Sequence, residues 1–95
     1  MFEWNEEKRQ ATIKERGVDI LYAALIFEGA TLTRVDDRKD YGEMRHISLG
    51  LVDDVPHVVV HTKRGENARL ITAWKGGRSA YEEYKTRFPW CLARD

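Results

Sequence analysis

Between residues 31 and 74 the chain alternates four short apolar runs with compact turn sequences, and no other pattern limits the possible fold as strongly. The runs are TLTRV, RHISLGL, HVVVHTK and ARLITAW. In the second run, alternate residues from Arg45 to Leu51 share one face, which is the period-two pattern of a strand. Acidic residues and Pro56 mark the turn VDDVP, and Gly65 in RGEN is able to adopt a positive φ. The pattern predicts an antiparallel meander.

Two helices are predicted before these strands. In the first, Asn5 is a candidate N-cap and Gly17 is a natural C′ residue. The second is VDILYAALIFEG, capped by Asp19 and ended by Gly29. Its 3.6-residue spacing is followed by Leu21, Ala24, Leu25 and Glu28. The preceding segment FEW is either a short strand or an anchor.

A final helix is predicted after the strands. Ser79 and Glu82 form the S-x-x-E pattern of a capping box, and Pro89 stops the helix. One stripe of this helix carries Tyr81, Tyr84 and Phe88. Helices, a meander of about four strands and a closing helix together make a small α+β fold. With 95 residues and no repeat or linker, the chain is expected to form one domain over residues 1–95.

Composition restricts the cellular setting and the partners. The lone Cys91 cannot form an internal disulfide, and the apolar run ILYAALIF is far shorter than the ~20 residues that cross a bilayer. We therefore expect a cytoplasmic protein with no membrane partner. The formal net charge is zero. However, residues 1–54 hold 8 Lys/Arg against 12 Asp/Glu, and residues 55–95 hold 8 against 4. A binding partner can recognise this uneven distribution of charge between the two halves.

Several short motifs occur in order along the chain. They are FEW at 2–4, Lys8, GV at 17–18, the helix ending in IF, Glu43, Arg45, LG at 49–50, VVV with Thr62 and Arg64, ARLITA, and Tyr84. In this order and spacing, over roughly residues 2–85, the sequence resembles the BrnT family, the ribonuclease toxins of type II toxin–antitoxin modules. Residues 89–95 remain as a tail.

The resemblance implies a fold similar to the RelE superfamily, in which helices pack on a curved antiparallel sheet. It also implies RNA cleavage without a metal or other cofactor, and growth arrest as the outcome. The implied partner is a BrnA-like antitoxin that neutralises the toxin. Such an antitoxin carries a dimeric DNA-binding motif, so operator DNA is bound only through it.

The sequence departs from the family pattern at several positions. The departures are Asn5-Glu6 for Asp-Pro, Thr12 for Asn, Arg16 for His, His61 for Tyr, and Trp74 for the Arg that usually closes the last strand. Because Trp74 replaces a cation, a second hypothesis stays open. In it, the chain is a non-catalytic relative that retains only antitoxin binding and regulation of its own operon.

Metal-free RNA cleavage uses the ribose 2′-OH against the adjacent phosphate, and it needs a base, cations and an acid. Planar guanidinium groups suit the phosphate, so Arg45, Arg64 and Arg69 are the candidate cations. The alternative is that these are ordinary arginines on a solvated face. Glu43 is either a base, a group that orients Arg45, or one partner of a loop salt bridge.

Candidates for proton transfer and for RNA contact complete the predicted site. His57 and His61 share one strand face and are candidates for proton transfer, His61 more so because it lies nearer the basic turn. The two side chains lie ~13 Å apart, which is too far to chelate one metal. Tyr84 is either an acid or core packing. The predicted RNA contacts are Lys63, Lys75, Arg78 and Trp74. Trp74 either stacks on a base or is a core or partner contact. The charged segment Arg34–Glu43 either clips an antitoxin, gates the site, or is a solvated loop. No metal site is predicted.

Overall fold

The computed structural model describes residues 2–37 and 42–89. Its elements in chain order are β1 (Phe2–Trp4), α1 (Glu6–Arg16), α2 (Ile20–Ala23), a 3₁₀ helix (Ala24–Glu28), β2 (Leu32–Asp36), β3 (Arg45–Val52), β4 (Val55–Arg64), β5 (Asn67–Lys75) and α3 (Arg78–Arg87). The predicted α+β class is confirmed. Within the described residues, no helix is long and apolar enough to span a membrane.

The sheet differs from the prediction in one respect. Across residues 2–37 and 42–89 it has five strands, in the order β1-β5-β4-β3-β2, rather than about four. The added strand is FEW, which pairs parallel with β5 and places Glu3 beside Arg69. The remaining neighbours are antiparallel, as predicted. The strand alternative for FEW is therefore confirmed. Its partner strand could not be predicted, because the pairing joins residues far apart in the sequence.

The predicted helix caps are confirmed for α1 and α2. The Asn5 side chain accepts a hydrogen bond from the Lys8 amide at 3.0 Å, and Gly17 adopts a φ of 69°. The Asp19 side chain accepts from the Leu21 amide at 2.9 Å. After Ala23, however, the second helix continues as a 3₁₀ helix. This segment lies so close to β3 that a Cβ on Gly50 would sit 2.6 Å from the Ile26 Cβ.

Two tight turns hold the meander in register. Asp53 and Asp54 both have positive φ, at 51° and 66°, which is the backbone of a type I′ hairpin turn. Each aspartate accepts a hydrogen bond from a tyrosine hydroxyl, Asp53 from Tyr22 and Asp54 from Tyr81. In the next turn Gly65 has a φ of 60°, as predicted.

Helices cover both faces of the sheet. On the face covered by α2 and the 3₁₀ helix, which we call the helical face, the buried apolar residues include Ile20, Ala23, Ile26, Val59 and Leu70. On the opposite face, which we call the α3 face, Ile47, Leu49, Val58 and Val60 pack with Tyr84. Both clusters draw on β4, whose alternate side chains point to opposite faces.

The predicted start of α3 is wrong. The helix begins at Arg78 with Gly77 as its N-cap and without a side-chain capping bond, so Ser79 lies inside the first turn. The amide of Gly76 instead donates to the Pro56 carbonyl at 2.9 Å, which ties the start of α3 to β4. The predicted segment Arg34–Glu43 begins within β2. Its residues 38–41, like Cys91, lie outside the described residues.

Candidate functional site

Arg45 and Arg69 lie on one row that crosses the α3 face of the sheet. Strand register aligns this row as Asp36, Arg45, Thr62, Arg69 and Glu3. Side chains paired in register project to the same face. Along β4, Thr62 is two residues, or ~7 Å at the rise of a strand, from Val60, which belongs to the cluster that packs with Tyr84 of α3. The row therefore lies next to that cluster, toward the Arg64 end of β4.

A cavity of about 470 Å³ opens at this row. It is lined by the first turn of α1, the segment before β3, and β5, through Asn5, Glu7, Lys8, Glu43, Arg45, Arg69, Leu70 and Ile71. We call it the basic cavity because Lys8, Arg45 and Arg69 all reach it. Three cations from three separate parts of the chain therefore meet at one concave surface.

Carboxylates orient the two arginines of the basic cavity. Glu43 Oε2 lies 3.6 Å from Arg45 Nε, and Glu3 Oε1 lies 3.8 Å from a terminal nitrogen of Arg69. The second oxygen of Glu3 accepts a hydrogen bond from Asn67 at 2.7 Å, so Glu3 fixes β1 against β5. Both ion pairs are longer than the roughly 2.7–2.9 Å of a charge-assisted hydrogen bond. These two carboxylates hold the guanidiniums by charge rather than by close hydrogen bonds.

A β-bulge in β5 sets the direction of the cavity-lining side chains. Val60 pairs with Thr72 but His61 pairs with Leu70, so Ile71 is the extra residue. Bulges bend a strand and redirect its side chains. Between the arginines, the Thr62 hydroxyl donates to the Met44 carbonyl at 2.6 Å. The Thr62 hydroxyl is thus bonded to the adjoining backbone.

Arg64 lies next to this site but does not line the cavity. It is exposed at the end of β4 and is paired with Asn67. Because Arg64 is two residues from Thr62 on the same strand, it projects to the α3 face as well. The hairpin therefore brings Arg64 and Arg69 to one face, with Arg64 at the outer rim.

The sheet separates His61 and Lys63 from the arginines. His61 lies on the helical face, where its Nε2 is 2.8 Å from the Ser48 hydroxyl and its ring is 5.1 Å from Phe27. Burial lowers the pKa of His61, and the neighbouring charge of His46 lowers it further. The imidazole is therefore neutral near pH 7. His57 is buried on the same face, with Nδ1 3.0 Å from the Val55 carbonyl.

Tyr84 is placed in the core rather than at the basic cavity. Its side chain is 3% exposed, and its ring packs 4.9 Å from that of Phe88. The hydroxyl donates to the Ala30 carbonyl at 2.8 Å, which joins α3 to the start of β2. This environment fits the core-packing alternative.

Trp74 lies at the far end of the α3 face, whereas Lys75 pairs in register with His57 of the helical face and Arg78 begins α3. Trp74 pairs with Val58 and packs against the α3-side core. The Arg16 guanidinium carbon lies 5.3 Å from the centre of the Trp74 ring, in a cation–π contact. Arg16 and Trp74, which both depart from the family pattern, are therefore in contact with each other, and neither lines the basic cavity.

Sequence reasoning missed two residues of this site, Lys8 and Glu3. Period-two alternation places Glu3 opposite Phe2 and Trp4, and Lys8 falls in the first turn of a capped helix. Neither signal reveals the parallel pairing that brings both residues to β5. Among the described residues, no group of three His, Cys, Asp or Glu side chains is arranged to hold a metal ion.

A family model described as the ribonuclease toxin BrnT of type II toxin–antitoxin systems matches residues 4–79. This range contains Lys8, Glu43, Arg45 and Arg69. No curated protein matches the chain.

Proposed function

The chain belongs to the BrnT family of type II toxin–antitoxin ribonuclease toxins, and we propose that it is itself a metal-independent endoribonuclease that cleaves RNA at the basic cavity. The observation that carries the proposal is the row in which Arg45 and Arg69 flank Thr62, with Lys8 in the same cavity. Prepositioned cations stabilise the negative charge that develops on the phosphate in the transition state of cleavage.

The arginines hold the scissile phosphate. Neighbouring strands are about 4.8 Å apart, so two residues separated by one strand start about 10 Å apart. Arg45 and Arg69 each extend a planar fork across part of that distance, and the forks converge on one phosphate between them. The charge that builds on the phosphate oxygens is then stabilised from two sides.

The remaining groups of the basic cavity supply the proton transfers. Glu43 accepts the proton of the ribose 2′-OH, and the freed oxygen attacks the adjacent phosphorus. The bond from phosphorus to the 5′-oxygen breaks as the bond to the 2′-oxygen forms. Lys8 gives a proton to the departing 5′-oxygen. The products are a 2′,3′-cyclic phosphate and a 5′-hydroxyl, so atoms and charge balance without a metal.

This assignment gives the other predicted residues different roles. Arg64, at the rim, contacts a flanking phosphate. His61 does not act on the phosphate because the sheet lies between it and the arginines. Tyr84 supports the fold, since its hydroxyl donates to the Ala30 carbonyl. Lys75 and Arg78 attract the RNA backbone outside the basic cavity, and this attraction weakens with salt.

The family implies an antitoxin partner. We propose that this partner is BrnA-like, covers the basic cavity in the cytoplasm and carries the dimeric DNA-binding motif, so that operator DNA is bound only through it. An acidic or extended antitoxin segment would compete with RNA for Arg45 and Arg69. A structure of the complex with the antitoxin elsewhere and the basic cavity open would contradict this arrangement.

The second candidate function is a non-catalytic relative that only binds the antitoxin, and Trp74 is the residue that favours it. Replacement of the family's usual arginine by Trp74 would impair cleavage most if position 74 lay in the basic cavity. Trp74 instead lies beside Val58, and Arg16 supplies a guanidinium there. Trp74 does not line the basic cavity, which supports the nuclease over the non-catalytic candidate.

Induced expression in bacterial cells tests the two candidates. Growth and total RNA integrity are followed for the wild type, Arg69→Ala and the control Arg87→Ala, which changes an exposed arginine of α3. The nuclease proposal predicts growth arrest with RNA breakage for the wild type and the control, and neither for Arg69→Ala. Normal growth with intact RNA from soluble wild-type protein would instead support the non-catalytic candidate.

A further inference from the structure

A second cavity lies on the helical face, behind the arginine row. Its volume is about 430 Å³. The lining includes Phe2, His46, His61, Lys63 and Ala68, together with the acidic Glu66 at the hairpin end. Phe2 and Ala68 are in register with each other and supply apolar surface from β1 and β5. The proposed cleavage chemistry uses none of these residues.

Flat rings form the wall of this cavity. His46 and His61 stack with their ring centres 5.7 Å apart and their planes 25° apart. Phe27 meets the His61 ring edge-on, and Phe2 packs against Phe27. The surface resembles the aromatic platforms on which single-stranded nucleic acids stack their bases.

Hydrogen bonds hold this wall in place before any ligand binds. The Ser48 hydroxyl lies 2.8 Å from His61 Nε2 and 2.7 Å from the Thr33 hydroxyl. Because burial lowers the pKa of His61, its ring is neutral at pH 7 and presents an uncharged face. A ring fixed in this way loses little freedom when a base stacks on it.

The end of β4 places one positive charge on the side of each cavity. Lys63 and Arg64 are consecutive, exposed residues, so they project to opposite faces of the sheet. Lys63 lines the second cavity, and Arg64 lies at the rim of the arginine row. An RNA strand that passes around the hairpin end at Gly65 would meet a cation on each side.

We propose that the second cavity is a base-binding subsite, which takes an unpaired base of single-stranded RNA whose backbone runs past Lys63 and Arg64 to the basic cavity. This inference rests on the proposed function. The subsite would bind the RNA at a point distant from the scissile bond. A base stacked on His46 would anchor the strand and favour unpaired over duplex RNA.

Binding of a non-cleavable RNA tests the subsite. The probe is a single-stranded dodecamer with a 2′-O-methyl group on every ribose, which removes the nucleophile. NMR signals of the three histidine rings are followed during titration. We expect the His46 and His61 signals to shift and the signal of His57, buried at the other end of the face, to stay in place. Unshifted His46 and His61 signals at saturation would overturn the proposal.

Variants give an independent readout by fluorescence anisotropy. His46→Ala should weaken dodecamer binding about tenfold, the effect of removing one stacking ring. Lys63→Ala should weaken binding and reduce its salt dependence, whereas Lys85→Ala on α3 should do neither. If His46→Ala leaves RNA affinity unchanged and instead weakens antitoxin binding, the cavity is a protein site and the proposal is wrong.

The same experiment separates this inference from the proposed function. Arg69→Ala should abolish cleavage of unmodified RNA and still permit the histidine shifts at saturating dodecamer. Cleavage that depends on Arg69, with unshifted histidine signals, would remove only the base subsite. Histidine shifts in a protein that cleaves no RNA would remove the proposed nuclease and leave an RNA-binding protein.

Discussion

Arg45 and Arg69 are both in register with Thr62, one from each side, so two guanidiniums from strands that are not neighbours face the same cavity. Thr62 keeps its hydroxyl on the Met44 carbonyl, at 2.6 Å. Glu43 and Glu3 stand behind the two arginines at 3.6 and 3.8 Å. The sheet register, rather than sequence proximity, therefore assembles the proposed site.

Replacing Trp74 should leave cleavage nearly unchanged. Trp74→Phe keeps a ring beneath the Arg16 guanidinium and does not alter the basic cavity. Because Trp74 does not line the basic cavity, the cleavage rate should stay within about threefold of wild type. Initial rates on a defined RNA measure this. A loss of a hundredfold or more would place Trp74 in the catalytic machinery.

Asp19 should contribute measurably to the free energy of unfolding. It caps α2 and accepts two hydrogen bonds from Arg9, both at 2.8 Å. Asp19→Ala should cost about 1–2 kcal/mol, the usual range for a lost N-cap. Asp19→Asn retains the cap but loses the ion pair, so denaturant unfolding should place it between wild type and the alanine variant. Equal losses in both variants would show that the cap contributes little.

Tyr84→Phe should reduce stability without reducing cleavage. The change removes the hydroxyl that donates to the Ala30 carbonyl, at a cost of about 1 kcal/mol. The control is Tyr81→Phe, since the exposed Tyr81 hydroxyl lies a longer 3.4 Å from Asp54. Thermal unfolding and cleavage rates are compared for both. If Tyr84→Phe folds normally and loses activity, Tyr84 is the acid instead of Lys8.

His61 should make the protein less stable in mild acid. Burial lowers the pKa of His61 from its ordinary 6.5, so the unfolded chain takes up a proton more readily than the folded one. Stability from this group is fully present above about pH 6.5 and declines as the pH falls through that value toward the folded-state pKa. His61→Gln should flatten this part of the stability profile in denaturant unfolding. An unchanged slope would assign the acid sensitivity to other groups.

Local signals were sufficient to predict much of the fold. Asn5 and Asp19 cap helices through their own side chains, and Gly65 allows a turn through its own backbone, so each acts within a few residues. The alternation of β4 also placed His57, His61 and Lys63 together on one face, as predicted. The capping role predicted for Ser79 is wrong, since α3 already begins at Arg78. The hydrogen bond from Gly76 to Pro56 that ties this start to β4 is a tertiary contact, which a local pattern does not contain.

The basic cavity depends on contacts that local patterns do not contain. Glu3 and Lys8 reach β5 only because a three-residue strand pairs across 66 positions in sequence, from Glu3 to Arg69. The extra residue Ile71 shifts the register of β5 and changes which side chains accompany Arg69. Guanidinium chemistry, the expected hairpin pairing and the family resemblance therefore identified Arg45, Arg64 and Arg69 as candidates, but they could not show that Lys8 joins Arg45 and Arg69 at one cavity.

The most direct measurement of the central claim is the initial rate of RNA cleavage in the presence of EDTA, for purified wild type, Arg45→Ala, Arg69→Ala, the double variant and the control Arg87→Ala. We expect each single substitution to lower the rate by about a hundredfold or more, as when one transition-state donor is removed. The double variant should lose less than the product of the two effects, because the arginines act on one phosphate.

Arg87→Ala should match wild type, and the product should end in a 2′,3′-cyclic phosphate. Cleavage by wild type that persists undiminished in Arg45→Ala and Arg69→Ala, or that stops when EDTA is added, would contradict the account.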